Sequence, residues 1–539
     1  MAARYTTSSE PDPSGLARWG LPSAADLIFI ALLAVLLFTP LSVRLLGDAG
    51  IGWHIRAGQQ IFATRAIPRV DPFSSSMQGN PWYAWEWLYD VVAGQFEASL
   101  GLNGVVWLTA VVIAAVFAAT FRLLIRTGTS LCFALALTLL AIAGSMIHFL
   151  ARPHVVSWLF TLAWFAILDS TERKSPDRGS QIFSVTRRSA LWVLPLLMLV
   201  WVNVHGGFVV GFVLLAIFWL GAAWDWFHAS GQRIAETLTK IAAGQRTLDL
   251  TLVGLASVAA SFVNPFGWKL HAHIYHYLSN RFLMNHIDEF RSPDFHGIAQ
   301  RCFLVLLMIA VATVATRGRA LRLSGLLTLL FAIYAGLYAS RNIPVSSLLL
   351  VLVAGPLLAG RNPPTLSLAR RPSFFQRMTN VEVRLRGHSW PILAVLVTFL
   401  IAANGGRIGQ STLMAAHFDP HRMPVEAIDH LPQTGALGPI LAPDYWGGYL
   451  IYRLYPATQV VVDDRHDLYG SDFFKSYLKL VRAEPGWQEF LRAHPAGCIL
   501  WPRNTALTSV LAESPRWKQI YSDDTAVLFV SRGLSEEQK

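Results

Sequence analysis

The sequence predicts a polytopic α-helical membrane protein of about eleven transmembrane helices carrying a C-terminal soluble α/β domain, and three observations predict it. Hydrophobic residues make up 53% of the 539 residues and charged residues only 14%, where a soluble chain carries roughly a quarter charged. The mean hydropathy is +0.43. The apolar residues gather in runs up to Ala403, and beyond Pro424 the runs shorten and alternate with amphipathic stretches. Backbone in lipid must satisfy its own hydrogen bonds, and without alternating strand patterns that selects helices over a barrel.

The apolar runs, in order, are Leu27–Val43, Gly104–Ile125, Leu131–Ile147, Val155–Leu168, Leu191–Val204, Phe208–Trp226, Leu250–Val263, Cys302–Thr316, Leu323–Tyr338, Ile343–Leu358 and Trp390–Ala403. Several fall short of the ~20 residues of a perpendicular span, so flanking residues must extend them. Leu191–Val204 contains Pro195 and is expected to form a broken hairpin with its successor. The polar first 23 residues lack a cleavage site, so Leu27–Val43 is read as an uncleaved span. This divides the chain into a cytoplasmic tail (1–23), a membrane domain (24–404) with outer loops 47–103 and 264–301, a linker (405–423) and an α/β domain (424–539).

The net charge of +11 is not a nucleic-acid patch. Residues 1–404 hold 31 Lys and Arg against 18 Asp and Glu, whereas residues 405–539 hold 13 against 15. The excess sits in short loops, which is a topology signal. With the N-terminus cytoplasmic, 21 cations of the membrane portion lie inside and ten outside. The positive-inside rule therefore predicts N-in, and an odd span count exports the C-terminal domain. On that orientation His54, His148, His154, His205, His271, His273, His276, His286 and His296 all lie outside, against His228 and His388 inside. Chemistry is sought on the outer face for that reason. Cys132, Cys302 and Cys498 build neither a disulfide framework nor a CxxC metal site.

The first outer loop opens with Asp48 and carries Asp71, Glu86 and Asp90. Ile51–Phe62 is expected as an interfacial helix, with Trp82, Tyr83, Trp85 and Trp87 in the headgroup layer. Asp48, five residues past the first run, is placed to act as a general base on a hydroxyl presented at the membrane surface. Its alternative reading is a helix cap. Asp71 and Glu86 would orient substrate.

The run GDAGIGWHIRAG, followed by IPRVDPFS and PWYAWEWL, resembles a group of bacterial membrane proteins similar to the GT-C superfamily of integral-membrane glycosyltransferases. The resemblance continues in ARPHVVSWL, WVNVHGGFVVG, VNPFGWKL, EFRSPDFH, SRNIP and WGGYLIYRLYP…VVVDDRHDLYG, and so spans nearly the whole chain. It implies a GT-C-like membrane domain in a bacterial inner membrane, a polyprenyl-phosphate sugar donor, and inverting transfer to a glycan, lipid or protein acceptor on the periplasmic side. Several members carry two adjacent acids after the first span, whereas Asp48 is followed by Ala49 and Gly50. A non-catalytic scaffold of transferase-like fold is therefore the alternative function, with a lipid or glycan transporter third.

Arg152 and His154 in the turn ARPH, Arg341 and Asn342 in SRN, and His54 and His205 are the candidates for binding substrate or its phosphate, because arginine at membrane depth usually has an anionic partner. Snorkelling to headgroups is the other reading of Arg152, and boundary anchoring that of Arg341. HAHIYH at His271–His276 matches no zinc spacing, so no metal ligand is assigned and the cofactor stays unknown. In the C-terminal domain, strands are expected near Ile440–Leu441, Val460–Asp463, Cys498–Trp501, Lys518–Tyr521 and Ala526–Val530. Helices are expected near Tyr445–Leu454, Phe473–Arg482, Trp487–His494 and Ala506–Glu513. Asp463, Asp464 and Arg465 close the second strand, where an open α/β sheet binds ligands, or where an acidic turn docks on the membrane domain.

Overall fold

Each of the eleven apolar runs folds as helix in the computed structural model, which describes residues 15–172, 188–229, 234–358, 374–385, 387–434 and 438–532. The tail residues 1–14 and the cation-bearing segments 173–187 and 359–373 lie outside the described residues. Among the described residues, seven helices are long and apolar enough to cross a membrane: Arg18–Phe38, Leu102–Arg126, Leu131–His148, His154–Glu172, Gly206–His228, Ile298–Arg317 and Ser340–Leu358. An eighth arises if the pair Gln376–Arg384 and Ser389–Ala403, bent by 66°, is one span. The chain is a multi-pass membrane protein, and the count of eleven is not reached by length alone. Arg188–Trp201 and Leu323–Tyr338 are too short. Leu250–Val263 is the end of a 28-residue helix, Ile234–Ser261, whose first half is polar.

The loop 47–103, read from the sequence as the first outer loop, folds inward. The helix expected over Ile51–Phe62 spans Ile51–Thr64, and a second covers Trp87–Leu100. The two lie so close that a Cβ on Gly58 would fall 1.7 Å from the Asp90 carbonyl oxygen, which only glycine permits. The aromatic residues placed in the headgroup layer do not form a belt. Trp82 is 3% exposed, Tyr83 stacks on His273 and Trp87 donates from Nε1 to Asn203 at 2.7 Å. Rings rich in edge contacts bury more area inside a folded loop than at an interface.

The C-terminal sheet contains β3 (Ile440–Leu441), β4 (Cys498–Pro502), β5 (Trp517–Ser522) and β6 (Ala526–Ser531) in the order β3-β4-β6-β5; β1 (Arg407–Ile408) and β2 (Ser411–Thr412) form a separate hairpin. β3 runs parallel to β4 and the other pairs are antiparallel. Four of the five expected strands form. The fifth, Val460–Asp463, is extended but makes only single bridges: Val460 pairs with Ile440 on one side and with Ser74 of the first outer loop on the other. Ser75 N donates to Val460 O at 2.8 Å, and Val460 N to Phe73 O at 3.3 Å. The loop thus extends the sheet by main-chain pairing. The four expected helices form as Asp444–Leu454, His466–Val481, Trp487–Ala493 and Ala506–Glu513, joined by Val425–Thr434. The segment read as a linker also packs, with Met414, Phe418 and Met423 buried.

A second seam lies at WGGY. The helix Asp444–Leu454 crosses Ile51–Thr64 where a Cβ on Gly448 would meet Ala49 O at 2.3 Å and one on Gly52 would meet Gly448 O at 2.1 Å. Trp446 and Tyr449 are buried at this seam in the same core as the membrane helices. Gly448→Ala is therefore expected to lower stability by about 1–3 kcal/mol through overpacking. Thermal unfolding in nanodiscs checks this, and an unchanged midpoint would mean the seam is not tightly packed.

Candidate active site

Asp48 sits in the turn that launches Ile51–Thr64, where its Oδ1 accepts from Gly50 N at 2.8 Å. The cap reading holds in that limited sense: Asp48 caps the turn, while Gly50 is the N-cap residue and offers no side chain. The same Oδ1 lies 3.1 Å from Arg152 Nη1, and that nitrogen donates to Asp464 Oδ2 at 2.8 Å. Trp53 Nε1 donates to the other Asp464 oxygen at 3.0 Å. Gly50 is required beside this cluster, because a Cβ there would fall 1.5 Å from Arg152 Nη1. Asp48, Arg152 and Asp464, from three distant stretches of chain, thus share one point. Burial, followed by the carboxylates of Asp48 and Asp463, raises the Asp464 pKa against the opposing pull of Arg152.

Two cavities meet at Arg152 and Asp464. The larger encloses about 870 Å³. Its apolar side includes Leu36, Leu41, Leu45, Met146, Ile147 and Phe149, and its polar side combines Arg44, Arg152 and Arg422 with the acids Asp48, Asp288, Glu289, Asp444 and Asp464. Among the described residues neither Arg44 nor Arg422 has an acidic partner, which leaves two cations facing the cavity uncompensated. Neither was singled out in the sequence, where Arg44 reads as one more outer-side cation and Arg422 as part of a linker. The smaller cleft is polar and aromatic, with Trp53, Trp82 and Trp85 on its walls and Glu86 among its lining.

Glu86 precedes the helix Trp87–Leu100 and is 8% exposed. Its two oxygens face imidazoles: Oε2 lies 3.7 Å from His54 Nε2 and Oε1 lies 3.7 Å from His205 Nε2. His54 Nδ1 is 2.6 Å from Asp90 Oδ1, and His205 Nδ1 accepts from Gly207 N at 3.0 Å. Burial pushes the Glu86 carboxyl from an ordinary 4.5 to about 8. Burial likewise lowers both histidines, so they are neutral. Because folded Glu86 binds its proton more tightly than unfolded Glu86, its contribution to stability falls as pH rises from about 4.5 to about 8.

The remaining sequence candidates divide between the cleft and the scaffold. Arg341 pairs with Glu289 at 3.0 Å and lines the cleft. Burial would raise Glu289, but Arg341 and its neighbours hold it at about 2. Asn342 faces away, donating to Ala335 O at 3.1 Å. His154 donates from Nε2 to His148 O at 3.0 Å. Asp71 does not reach either cavity. It is 2% exposed, accepts from Phe73 N and Ser74 N, and lies 2.8 Å from Arg465 Nη1. Asp463 holds Arg465 from the other side in a bidentate pair at 2.8 and 2.7 Å. Of the DDRHD run, Asp464, Arg465, His466 and Asp467 line the cleft, while Asp463 turns inward and is fully buried. His466 is held by Asp444 at 2.8 Å and His273 by Asp467 at 2.9 Å. The HAHIYH histidines part company, with His271 on Ser261 and His276 exposed. Among the described residues no group of three His, Cys, Asp or Glu side chains is arranged to hold a metal.

No family model and no curated protein sequence matches the chain. Solved structures do. The chain is similar to the oligosaccharyltransferase AglB from Archaeoglobus fulgidus in complex with an inhibitory peptide and a dolichol-phosphate, with a TM-score of 0.55 and 10% identity over 89% of this chain and 69% of that one. The apo form of the Archaeoglobus fulgidus oligosaccharyltransferase gives 0.54 over the same shares. ArnT from Cupriavidus metallidurans bound to undecaprenyl phosphate gives 0.46 and 15% identity over 93% of this chain and 97% of that one. The fold assignment rests on the first two. The chain shares the fold of these two oligosaccharyltransferase structures, in line with the GT-C-like fold that the resemblance implied.

Proposed function

We propose that the protein is a bacterial inner-membrane glycosyltransferase that moves a sugar from a polyprenyl-phosphate donor to a hydroxyl acceptor on the periplasmic side, with inversion and with Asp48 as general base. The observation that carries the reading is the 870 Å³ cavity, apolar where it borders the membrane helices and, near Asp48, carrying Arg44 and Arg422 without acidic partners among the described residues. An isoprenoid chain fits the first part and its phosphate the second.

In the reaction, an Asp48 carboxylate oxygen takes the acceptor proton as the acceptor oxygen bonds to the anomeric carbon. The bond from that carbon to the phosphate oxygen breaks, and its electron pair leaves with the lipid phosphate. Arg44 and Arg422 supply fixed positive charge for that leaving group, and Arg152 holds Asp48 in place. The 21-to-10 distribution of cations supports a cytoplasmic N-terminus and an exported C-terminal domain, the orientation in which this cavity would face the periplasm.

The test is donor binding. The Arg44→Ala, Arg422→Ala double variant should bind undecaprenyl phosphate at least ~10-fold more weakly than wild type in nanodiscs, by native mass spectrometry, while binding undecaprenol unchanged. Equal binding of the phosphate by both proteins would sink the reading. A second reading, a non-catalytic scaffold of the same fold, is favoured by one observation: Asp48 is already ion-paired with Arg152 and has no second acid next to it in the chain. Donor binding without any transfer would support it.

A further inference from the structure

The helix Phe374–Arg384 meets Ser389–Ala403 at a bend of 66° and docks on the ends of three other membrane helices. Glu382, 5% exposed, accepts from Ala24 N at 2.8 Å at the start of the first span. Arg122, near the end of Leu102–Arg126, stands 3.6 Å from the same carboxylate. It also donates to Glu382 O at 2.6 Å and to Leu385 O at 2.7 Å, carbonyls that the end of a helix leaves open. Leu131 N, which opens the next span, donates to Thr379 Oγ1 at 3.1 Å. The helix thus lies across the start of one span, the end of a second and the start of a third.

Ser389–Ala403 leaves from that same level, where Trp390 Nε1 donates to Gly20 O at 2.9 Å. It finishes at the opposite end of Leu102–Arg126, because a Cβ on Gly406, just past it, would lie 3.0 Å from Asn103 Nδ2. One limb of the bent pair therefore covers the depth of a span without the other. The other limb has an exposed face of its own. Phe374, Met378 and Val381, at i, i+4 and i+7, form an apolar strip that is 70%, 42% and 46% exposed. At 3.6 residues per turn, Thr379 and Glu382 fall on one side of this strip and Arg377 and Arg384 on the other, with Gln376 and Asn380 on the far face. Those last four are all exposed. Glu382 is the one acid of the helix, so its exposed faces carry positive charge only.

We propose that Phe374–Arg384 is a membrane-surface helix that binds acidic phospholipids in the leaflet opposite Asp48. Its apolar strip enters the acyl-chain boundary, and Arg377 and Arg384 hold headgroup phosphates. Its position across the span ends puts it at headgroup depth, and cations beside an apolar strip are the pattern that binds anionic lipid. Arg126, exposed in the last turn of Leu102–Arg126, adds a cation at that level. Ser389–Ala403 is then the crossing limb, with Ile392, Leu393, Leu396 and Leu400 exposed to lipid. The inference stands apart from the transferase reading, since Asp48 lies beyond the other end of the first span.

The experiment uses the full-length protein in nanodiscs. Nitroxide labels on Met378→Cys and Val381→Cys, with Cys132, Cys302 and Cys498 replaced by alanine, should be relaxed more by oxygen than by a water-soluble nickel chelate. Labels on Gln376→Cys and Asn380→Cys should show the reverse. By native mass spectrometry the Arg377→Gln, Arg384→Gln double variant should hold phosphatidylglycerol at least ~10-fold more weakly than wild type, at about 5-fold per arginine, with phosphatidylcholine unchanged. The Arg377→Lys, Arg384→Lys variant should keep the phosphatidylglycerol, and both should keep the wild-type unfolding midpoint. Oxygen-dominated relaxation at all four positions would make the helix half of a broken span, and nickel-dominated relaxation at all four would place it in water. Either result overturns the proposal. So does equal phosphatidylglycerol binding by the double Gln variant, or soluble glycerol 3-phosphate binding to wild type as tightly as the lipid, which would assign the arginines to a free anion.

Discussion

Asp48→Asn should lower sugar transfer by roughly 10²–10⁴-fold, the usual contribution of a positioned general base. The substitution keeps the shape and the Oδ1 acceptor for Gly50 N, so the turn that starts Ile51–Thr64 survives. It removes the charge that pairs with Arg152, but Arg152 retains Asp464 at 2.8 Å. The Asp48 side chain is about a third exposed, so losing its half of the ion pair should change stability little. The decisive measurement is incorporation of labelled sugar from a polyprenyl-phosphate donor in proteoliposomes, with the unfolding midpoint recorded alongside. Near-wild-type turnover by the Asn variant removes Asp48 from the chemistry. Low turnover with a collapsed midpoint assigns it to the fold instead.

Arg465→Met should be the most destabilising single change, by about 3–5 kcal/mol, because it strands two buried carboxylates. The side chains of Arg465, Asp463 and Asp71 are 0–1% exposed, so solvent cannot compensate. The guanidinium also lies over Trp82 at 4.7 Å and Phe73 at 5.2 Å, so a methionine of similar length fills the space without replacing the charge. Thermal unfolding in nanodiscs measures the loss. Adding Asp71→Asn and Asp463→Asn to Arg465→Met should recover much of it, since the penalty lies in the orphaned charges. A single variant as stable as wild type would mean that the three groups are not charged together in the folded protein. The location makes the effect global: Asp71 lies in the first outer loop and Arg465 in the C-terminal domain, so this one ion triad ties them together.

That tie also separates what local sequence encodes from what it does not. Each of the eleven apolar runs read from hydropathy falls in a helix, seven or eight of them long and apolar enough to span, because a segment in lipid has to close its own hydrogen bonds wherever its neighbours lie. Period and turn chemistry likewise placed β3 to β6 and the four expected helices of the C-terminal domain. The residue types of the candidate site were legible too, since arginine and carboxylate at the edge of a membrane domain are costly without a partner. Their partners were not legible. Asp48 gave no sign of Arg152 or Asp464, nor Asp71 of Arg465, because no short-range periodicity links residues hundreds apart. Arg44 and Arg422 looked like loop and linker cations, and only their convergence on one cavity sets them apart. Val460 reads locally as the start of a strand, yet its pairing with Ser74 is a contact between distant segments that close packing of Gly52 on Gly448 accompanies. The sequence by itself determined a membrane helical protein with a small α/β domain, through the local requirements of backbone in lipid and in a sheet. The tertiary structure decided which acid meets which base, because those contacts depend on the three-dimensional distance between elements.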